Sequence, residues 1–566
     1  MRILFGALHF SYFRNYESVL CRLAERGHDV VVTADIHDST GGQSIVERLA
    51  AAYPDRIRFA FAPSLDGWPF IRLAKKLRRS LEWVRFADPY YDPVPKYRTR
   101  TRVWTPRVML SLFRVRGVNA APVRHLLAAL LGWLERGVPT YEALDAFVED
   151  IAPDVVVLAS VTNSESMQLD HLKSAMAAGR HASISVWSWD HLSGKAWLRI
   201  VPEQILVWNE TQKQEAVGMH GIDPSRVVVT GAQCYDQWFN RQPSADRAAF
   251  CQEIGLEAGR PYLLWVCSVL SHPAPPEAPF VREWIRRIRA SNDPKLRDMG
   301  ILVRPHPERR RAWDTVSLDE FENVAIRGAH TINAHARAEY FDSMYHSAAV
   351  VGLVTSAFVE AGVVGRPVFT IQGDTFQEHQ GQSPHFHLLT RTGGGLLHSA
   401  DGFDAHLAQI AVALADPGPP AEKSRRFVEA FVRPFGLDVP ATDVFVAALE
   451  RLNAAAPPAR ERFGRGLSRL VVSVLQRVIG TRWGASMASC EEERRVERLI
   501  ANRVIEEREI KARLQAEKAA KREAFARRDA ARLVEEQEIK ARQHAERDAR
   551  KLIKRHATDA ARKARA

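Results

Sequence analysis

A chain of 566 residues is long enough for two or more domains with full-sized cores, so it needs no disulfide or metal staple to stay folded. Apolar residues make up 46% of it, which excludes a disordered chain, and a net charge of +12 with a pI of about 9.6 means that a basic element is joined to an ordinary globular composition. Cys21, Cys234, Cys251, Cys267 and Cys490 stand far apart, which excludes a paired-cysteine zinc motif and a disulfide framework and fits thiols in a reducing compartment.

Met1 to Ala7 runs straight into a first strand with no charged and apolar leader, so a cytoplasmic chain is expected. Met1 to Phe5 as strand, a loop holding His9, Tyr16 to Arg26 as helix stopped by Gly27, and Asp29 to Thr33 as strand form a β-loop-α-β opening. The stretch Leu65 to Pro139 is less regular and rich in Arg, Lys, Trp and Tyr, and reads as a helical insertion with a basic face. Within it Leu126 to Leu134 is the most apolar run, about half of the ~20 residues that a membrane span needs. It reads as a buried helix.

Alternation resumes with strand Asp154 to Ala159, helix Gln168 to Ala178, strands Ala182 to Trp187 and Gln204 to Trp208, helix Lys213 to His220 and strand Arg226 to Thr230. Polar and turn residues from Asp236 to Gly259 mark an interdomain connection. A second set follows: strand Tyr262 to Cys267, helix Phe280 to Ala290, strand Gly300 to Val303, helix Tyr340 to Ser347, strand Val350 to Val354, helix Ala357 to Val364 and strand Pro367 to Ile371. Repeated β/α alternation predicts an α/β protein of two tandem Rossmann-like domains, 1–240 and 241–456, with a cleft between them. Helices Ala405 to Leu414 and Lys423 to Val432 close the second domain, the later one placed to cross back to the first.

After Pro457-Pro458, residues 457–489 form a basic amphipathic segment: Phe463, Leu467, Leu470, Val471, Val474, Leu475, Val478 and Ile479 share one helical face, and Arg462, Arg465, Arg469, Arg477 and Arg482 lie largely elsewhere. Such a stripe either lies on an anionic membrane surface or packs against the body of the protein or a partner helix, and Trp483 beside the arginines favours the interface. Residues 490–566 are packed with Glu, Lys, Arg and Ala, which predicts a long charged helix or coiled coil, about 110 Å if fully helical. The octet Glu506 to Arg513 recurs nearly unchanged as Glu535 to Arg542. Residues 491–566 hold 23 basic and 16 acidic side chains, so +7 of the total +12 resides there. The mixed signs favour a solvated face or a partner helix, coiled-coil self-association included, over nucleic acid.

The chemistry concentrates at two strand ends. Arg304-Pro305-His306-Pro307 follows the apolar run Ile301 to Val303, putting a cation and an imidazole where open α/β sheets bind ligands. Thr355 and Ser356 stand where Val350 to Val354 gives way to a helix, whose free N–H groups favour phosphate, and Glu360 lies one turn along. Together they describe a site for a phosphorylated, nucleotide-linked ligand.

Tandem Rossmann units, Arg-Pro-His-Pro after a second-domain strand, and Thr355-Ser356 with Glu360 followed by Gly365-Arg-Pro-Val368 resemble the GT-B glycosyltransferase superfamily, in particular its capsule and teichoic-acid branch of CDP-glycerol glycerophosphotransferase-like enzymes and His-Pro-motif sialyl and Kdo transferases. The resemblance implies that His306, Thr355 and Ser356 grip the phosphate of a cytidine-type or related nucleotide donor and that Glu360 reaches the ribose or the transferred group; Arg304, by its place at the strand end, is a further donor-binding candidate. A helix end, hydroxyls and cations can stabilise the departing phosphate. With no Asp-x-Asp motif, metal independence and no cofactor are expected.

The base that deprotonates the acceptor should come from the first domain. Asp190 ranks first, with His191 and with His9 after the first strand; Lys195 is a phosphate or substrate contact. The acidic pair before glycine that carries the sialyltransferase base has no counterpart here. Asn209, Glu210 and Gln233 also end strands, and Glu378, His379, His385 and His387 stand in a loop after Ile371, so these are further cleft candidates.

The function so implied is a metal-independent transferase that moves a sugar or polyol phosphate from a nucleotide-activated donor to a cell-surface polysaccharide or lipid-linked precursor, with the C-terminal segments holding it at the inner membrane face or in an assembly. The rival readings are an enzyme resembling UDP-N-acetylglucosamine 2-epimerase and a non-catalytic GT-B scaffold with an interaction tail.

Overall fold

The computed structural model describes residues 1–36, 41–159, 161–162, 166–270, 276–328, 334–377 and 379–491, and in the tail 495, 515, 532, 536–555 and 558. Up to Cys490 the chain is organised by two parallel sheets. Strands β1 (Arg2–Ala7), β2 (Asp29–Ala34), β3 (Ile57–Phe61), β4 (Val155–Leu158), β5 (His181–Ser185), β6 (Gln204–Val207) and β7 (Val227–Val229) lie in the order β3-β2-β1-β4-β5-β6-β7. Strands β8 (Tyr262–Val266), β9 (Gly300–Arg304), β10 (Val324–Ile326), β11 (Ala349–Gly352), β12 (Val368–Ile371) and β13 (Leu397–Ala400) lie in the order β10-β9-β8-β11-β12-β13. Each sheet starts in its middle, grows to one edge, then crosses back, so the order reverses between β1 and β4 and between β8 and β11.

The apolar runs follow from burial on both faces. Ile3, Phe5 and Val32 pack with Leu20 and Leu23 of helix Glu17–Glu25, and the alternate residues Leu4, Val31 and Val156 pack on the other side with Leu169 and Leu172 of helix Gln168–Ala177. In the second sheet Leu264 and Val350 face Phe358 and Phe427, and Leu263, Trp265 and Ile301 face Trp284 and Ile288. Two Rossmann-like domains result, as the alternation predicts. The strands that the patterning misses, β3, β10 and β13, are partly exposed edge strands: β3 and β13 are interrupted by Arg58 and by His398 and Ser399, and β10 is only three residues long.

Three expectations are refined. The helix over Lys423 to Val432, observed as Gly418–Phe431, packs Phe427 and Val428 on the second sheet and reaches the first domain at its end, where Phe431 lies edge-on to Trp208 at 6.1 Å and the Val432 carbonyl accepts from Ala232 N at 2.8 Å. The element that then enters the first-domain core is Ala441–Asn453, whose Phe445, Val446 and Leu449 join it, with Thr442 Oγ1 donating to Ser18 Oγ at 2.8 Å and Arg26 paired to Glu450 at 2.9 Å. The crossing needs Gly231, at φ +86°, because an added Cβ there would meet Ala441 Cβ at 2.6 Å.

The insertion forms helices Ile71–Phe86, Pro95–Trp104, Arg107–Leu112 and Ala121–Gly137, and its arginines divide: Arg72, Arg102, Arg107, Arg114 and Arg116 are exposed, whereas Arg78, Arg79, Arg85 and Arg124 are buried and do not belong to a solvated basic face. Arg78 is buried against Glu135 (2.9 Å) and Asp170 (2.6 Å), with Lys173 3.4 Å from Glu135. Arg85 donates to the Leu192 and Lys195 carbonyls, and Arg98 to those of Phe86, Ala87 and Asp88. The forks of Arg78 and Arg85 fasten the insertion to the rest of the first domain and that of Arg98 ties two of its own helices together, a task that suits five fixed donors.

The run Leu126 to Leu134 is not a fully buried helix. Leu131 and Leu134 enter a core with Leu73 and Leu77, and Leu126, Leu130 and Trp133 are exposed. Helix Gly466–Ile479 packs beside it so closely that a Cβ on Gly137 would meet the Ser468 carbonyl oxygen at 2.6 Å. The amphipathic stripe is thereby divided: Val471, Val472, Leu475 and Ile479 pack inward, and Leu467, Leu470 and Val474 face out. Among the described residues no helix is long and apolar enough to cross a membrane. In the tail, 536–555 is helical and exposed, and the first octet, 506–513, lies outside the described residues.

Candidate functional site

Ligands of an open parallel sheet bind beyond its carboxyl edge where the strand order reverses. Here two such reversals contribute loops to one cleft of about 520 Å³. From the first domain, the segment after β1 brings His9, Ser11 and Arg14, and the segment after β5 brings Trp187, Ser188 and Trp189. From the second, Val266 ends β8 and Cys267 follows it, Arg304 to Glu308 end and follow β9, and Thr355, Ser356 and Glu360 follow β11. Arg241, Arg337 and Tyr340 add to the polar lining.

Arg304 is buried, 2.9 Å from Glu339, with its guanidinium 5.2 Å from the centre of the Tyr340 ring. Prolines on both sides of His306 favour extended backbone before them, and its Nδ1 accepts the Glu308 N–H at 3.3 Å. Thr355 Oγ1 caps the next helix by accepting from Ala357 N at 3.3 Å. Ser356 makes no side-chain cap bond and its residue is exposed. Tyr340 donates its hydroxyl to Glu360. Burial pushes the Glu360 carboxyl up, opposed by that hydrogen bond and by the charge of Arg14 from the other domain.

Charge in the cleft is asymmetric. Arg304 is paired with Glu339 and Arg337 with Glu17, the latter at 2.8 Å across the domains. Arg14 and Arg241 form no ion pair among the described residues, so the wall keeps cationic capacity for an anion. The thiols of Cys234 and Cys267 are held protonated, pushed well up by burial. His9 has its Nδ1 2.5 Å from Ser11 Oγ and its ring edge-on to Tyr12 at 4.4 Å.

Of the sequence-derived candidates, the cleft gathers His9, Arg304, His306, Thr355, Ser356 and Glu360. Asp190 is not in its lining. After Trp189 the chain turns, and Asp190 instead accepts from Ser188 Oγ at 2.7 Å and pairs with Lys195 at 3.6 Å. Burial would raise its pKa, but Lys195, His191 and His385 outweigh that and hold the carboxyl well below its usual range. His191 is buried, edge-on to Trp187 at 4.7 Å, and burial pulls it down to about 4.

Lys195 is likewise outside the lining. Asn209 is buried, caps helix Glu210–His220 by accepting from Gln212 N at 3.0 Å, and donates to the Phe431 carbonyl. Glu210 is an exposed first-turn residue of that helix, and Gln233 is buried behind Cys234 and Tyr235, its chain neighbours in the lining. His379 is buried, and Glu378 lies outside the described residues. The Arg14 contribution was signalled by its place in the loop of His9. Arg241, Arg337 and Tyr340 had no signal, since domain packing sets their position.

Two Rossmann-like domains presenting their strand ends to one cleft is the GT-B layout. No protein-family model and no curated protein matches the sequence. Among solved structures the chain is similar to the UDP-GlcNAc 2-epimerase of Neisseria meningitidis bound to UDP-GlcNAc, with 11% identity over 80% of this chain and 100% of that one and a TM-score of 0.47. It is similar to the UDP-GlcNAc 2-epimerase of Methanocaldococcus jannaschii, with 12% identity over 80% and 100% and a TM-score of 0.46. A glycosyltransferase from Rickettsia africae gives 9% identity over 80% and 97% and a TM-score of 0.46.

Proposed function

We propose that the cleft binds a nucleotide-activated donor and that the protein transfers its sugar or polyol phosphate, without a metal ion, to a hydroxyl of a cell-surface polysaccharide or lipid-linked precursor. One observation carries this reading: His9 and Arg14 of one domain line the same cavity as Arg304, His306, Thr355, Ser356 and Glu360 of the other. Arg304, His306 and the two hydroxyls hold the donor phosphate, where preorganised donors offset the charge that develops on the leaving group. Glu360, oriented by Tyr340, accepts from a hydroxyl of the ribose or the transferred group.

His9 takes the place of Asp190 as the base. It is in the lining and is tethered by Ser11, whereas Asp190 is occupied by Ser188 and Lys195. An imidazole so placed can accept the proton of the acceptor hydroxyl as that oxygen attacks.

Incubation with CMP-, CDP-, UDP- and GDP-activated donors, followed by NMR, tests the reading. Release of free nucleotide from one donor, lost in His306→Ala and lowered by about 10²-fold or more in His9→Ala, is the expected result. An intact nucleotide sugar inverted at C2 would identify an epimerase instead. No change in any donor would leave the scaffold reading.

A further inference from the structure

Four helices from two distant parts of the chain lie in series on the surface. Ala121–Gly137 packs on Gly466–Ile479, which packs on Arg482–Ala488, which packs on Arg107–Leu112. Their inner sides are accounted for, with Met109, Leu131, Leu134 and Val472 in one core. Their outer sides are apolar where a soluble surface should be polar. Leu126 is 69% exposed, Leu467 68%, Leu470 65% and Trp483 69%, joined by Trp133 and Val474. Single exposed apolar residues are ordinary, but aligned stripes on neighbouring helices mark a contact surface.

Charge selects the occupant. Segments 103–137 and 457–490 hold eleven arginines and two glutamates, with no lysine or aspartate. Glu135 is buried under Arg78, and Glu461 is neutralised by Arg136 at 2.8 Å, so no unpaired carboxylate faces outward from either segment. Arg107, Arg114, Arg116, Arg465, Arg477 and Arg482 are exposed around the apolar stripes. Self-association through this face would bring two arginine rims together, which like-charge repulsion opposes. A tryptophan at the rim, aliphatic side chains between and guanidinium groups around match a bilayer interface with anionic headgroups.

We propose that this composite face seats the protein on an anionic lipid bilayer, its apolar stripes entering the interface and its arginines meeting lipid phosphates. The sequence stripe supplies only half of it; Leu126 and Trp133 of the insertion supply the rest. The inference stands apart from the donor reading, since it uses none of the cleft residues.

Flotation of the full-length chain with phosphatidylcholine vesicles, with and without about 30 mol% phosphatidylglycerol, tests it. The expected result is binding to the anionic vesicles alone, weakened by salt and reduced about tenfold or more in L126E/W133E and separately in L470E/V474E. Both variants change exposed side chains, and unchanged melting curves would show that each still folds. Failure to float with anionic vesicles overturns the proposal. So does equal binding by both variants, which would assign the attachment to the tail that they retain. A dimer that the variants split, without flotation, would give the face to a second copy and also overturn it.

Discussion

Replacing Arg78 with methionine is expected to destabilise the protein by about 3–5 kcal/mol, read as a lower denaturation midpoint, because it leaves two carboxylates buried without their main partner. Arg78 holds Glu135 and Asp170 at once, and all three side chains are at most 3% exposed. Lys173 touches only Glu135 of the pair and cannot replace a fork that bonds both. The same cluster sets a pH dependence. Burial alone would raise the Glu135 carboxyl, but Arg78 and Lys173 outweigh it and bring it down to about 2. A folded-state pKa below the unfolded one gives stability that is complete above the unfolded value, near 4.5, and is lost as pH falls towards about 2. Glu135→Gln should lack that part of the acid transition; an unchanged acid melt would refute the role given to the carboxylate.

Glu360→Gln is expected to lower turnover by about 10- to 100-fold, the range for a lost hydrogen bond to a charged group, while affinity for inorganic phosphate stays within about twofold. The amide keeps the shape and the Tyr340 contact but accepts a ligand hydroxyl less strongly. Burial raises the Glu360 pKa, so the acceptor form is gained as pH rises through that shifted value. Activity should therefore climb with pH over that window, and the climb should be absent in Glu360→Gln. A variant that loses phosphate affinity in parallel with turnover would place Glu360 in anion binding instead.

The legible half of the site is the half attached to buried strands. β9 and β11 have no exposed residue, so their unbroken apolar runs point to Arg304 to His306 and to Thr355 with Ser356 without any knowledge of packing. The first domain is harder to read because its contribution depends on where a loop turns. Ser188 and Trp189 line the cleft, yet Asp190, one residue on, points to Lys195. Arg241 and Arg337 come from the connector and from a helix, and their relation to the cleft is set by domain packing, Arg337 pairing with Glu17 of the first domain at 2.8 Å. The buried arginines of the insertion show a similar limit. Composition counts their charge but cannot tell a solvated side chain from one that faces Glu135 and Asp170.

Isothermal titration of UDP, CDP, CMP and GDP into the wild-type protein and Arg304→Ala tests the donor cleft most directly. Truncating Arg304 removes a cation from the phosphate position and leaves Glu339 beside it, so both effects weaken anion binding. Saturable binding of at least one nucleotide, weakened about 100-fold in Arg304→Ala, is the predicted result. Absence of binding by all four at millimolar concentration, or equal affinity in the variant, would contradict the assignment of this cleft to a nucleotide donor.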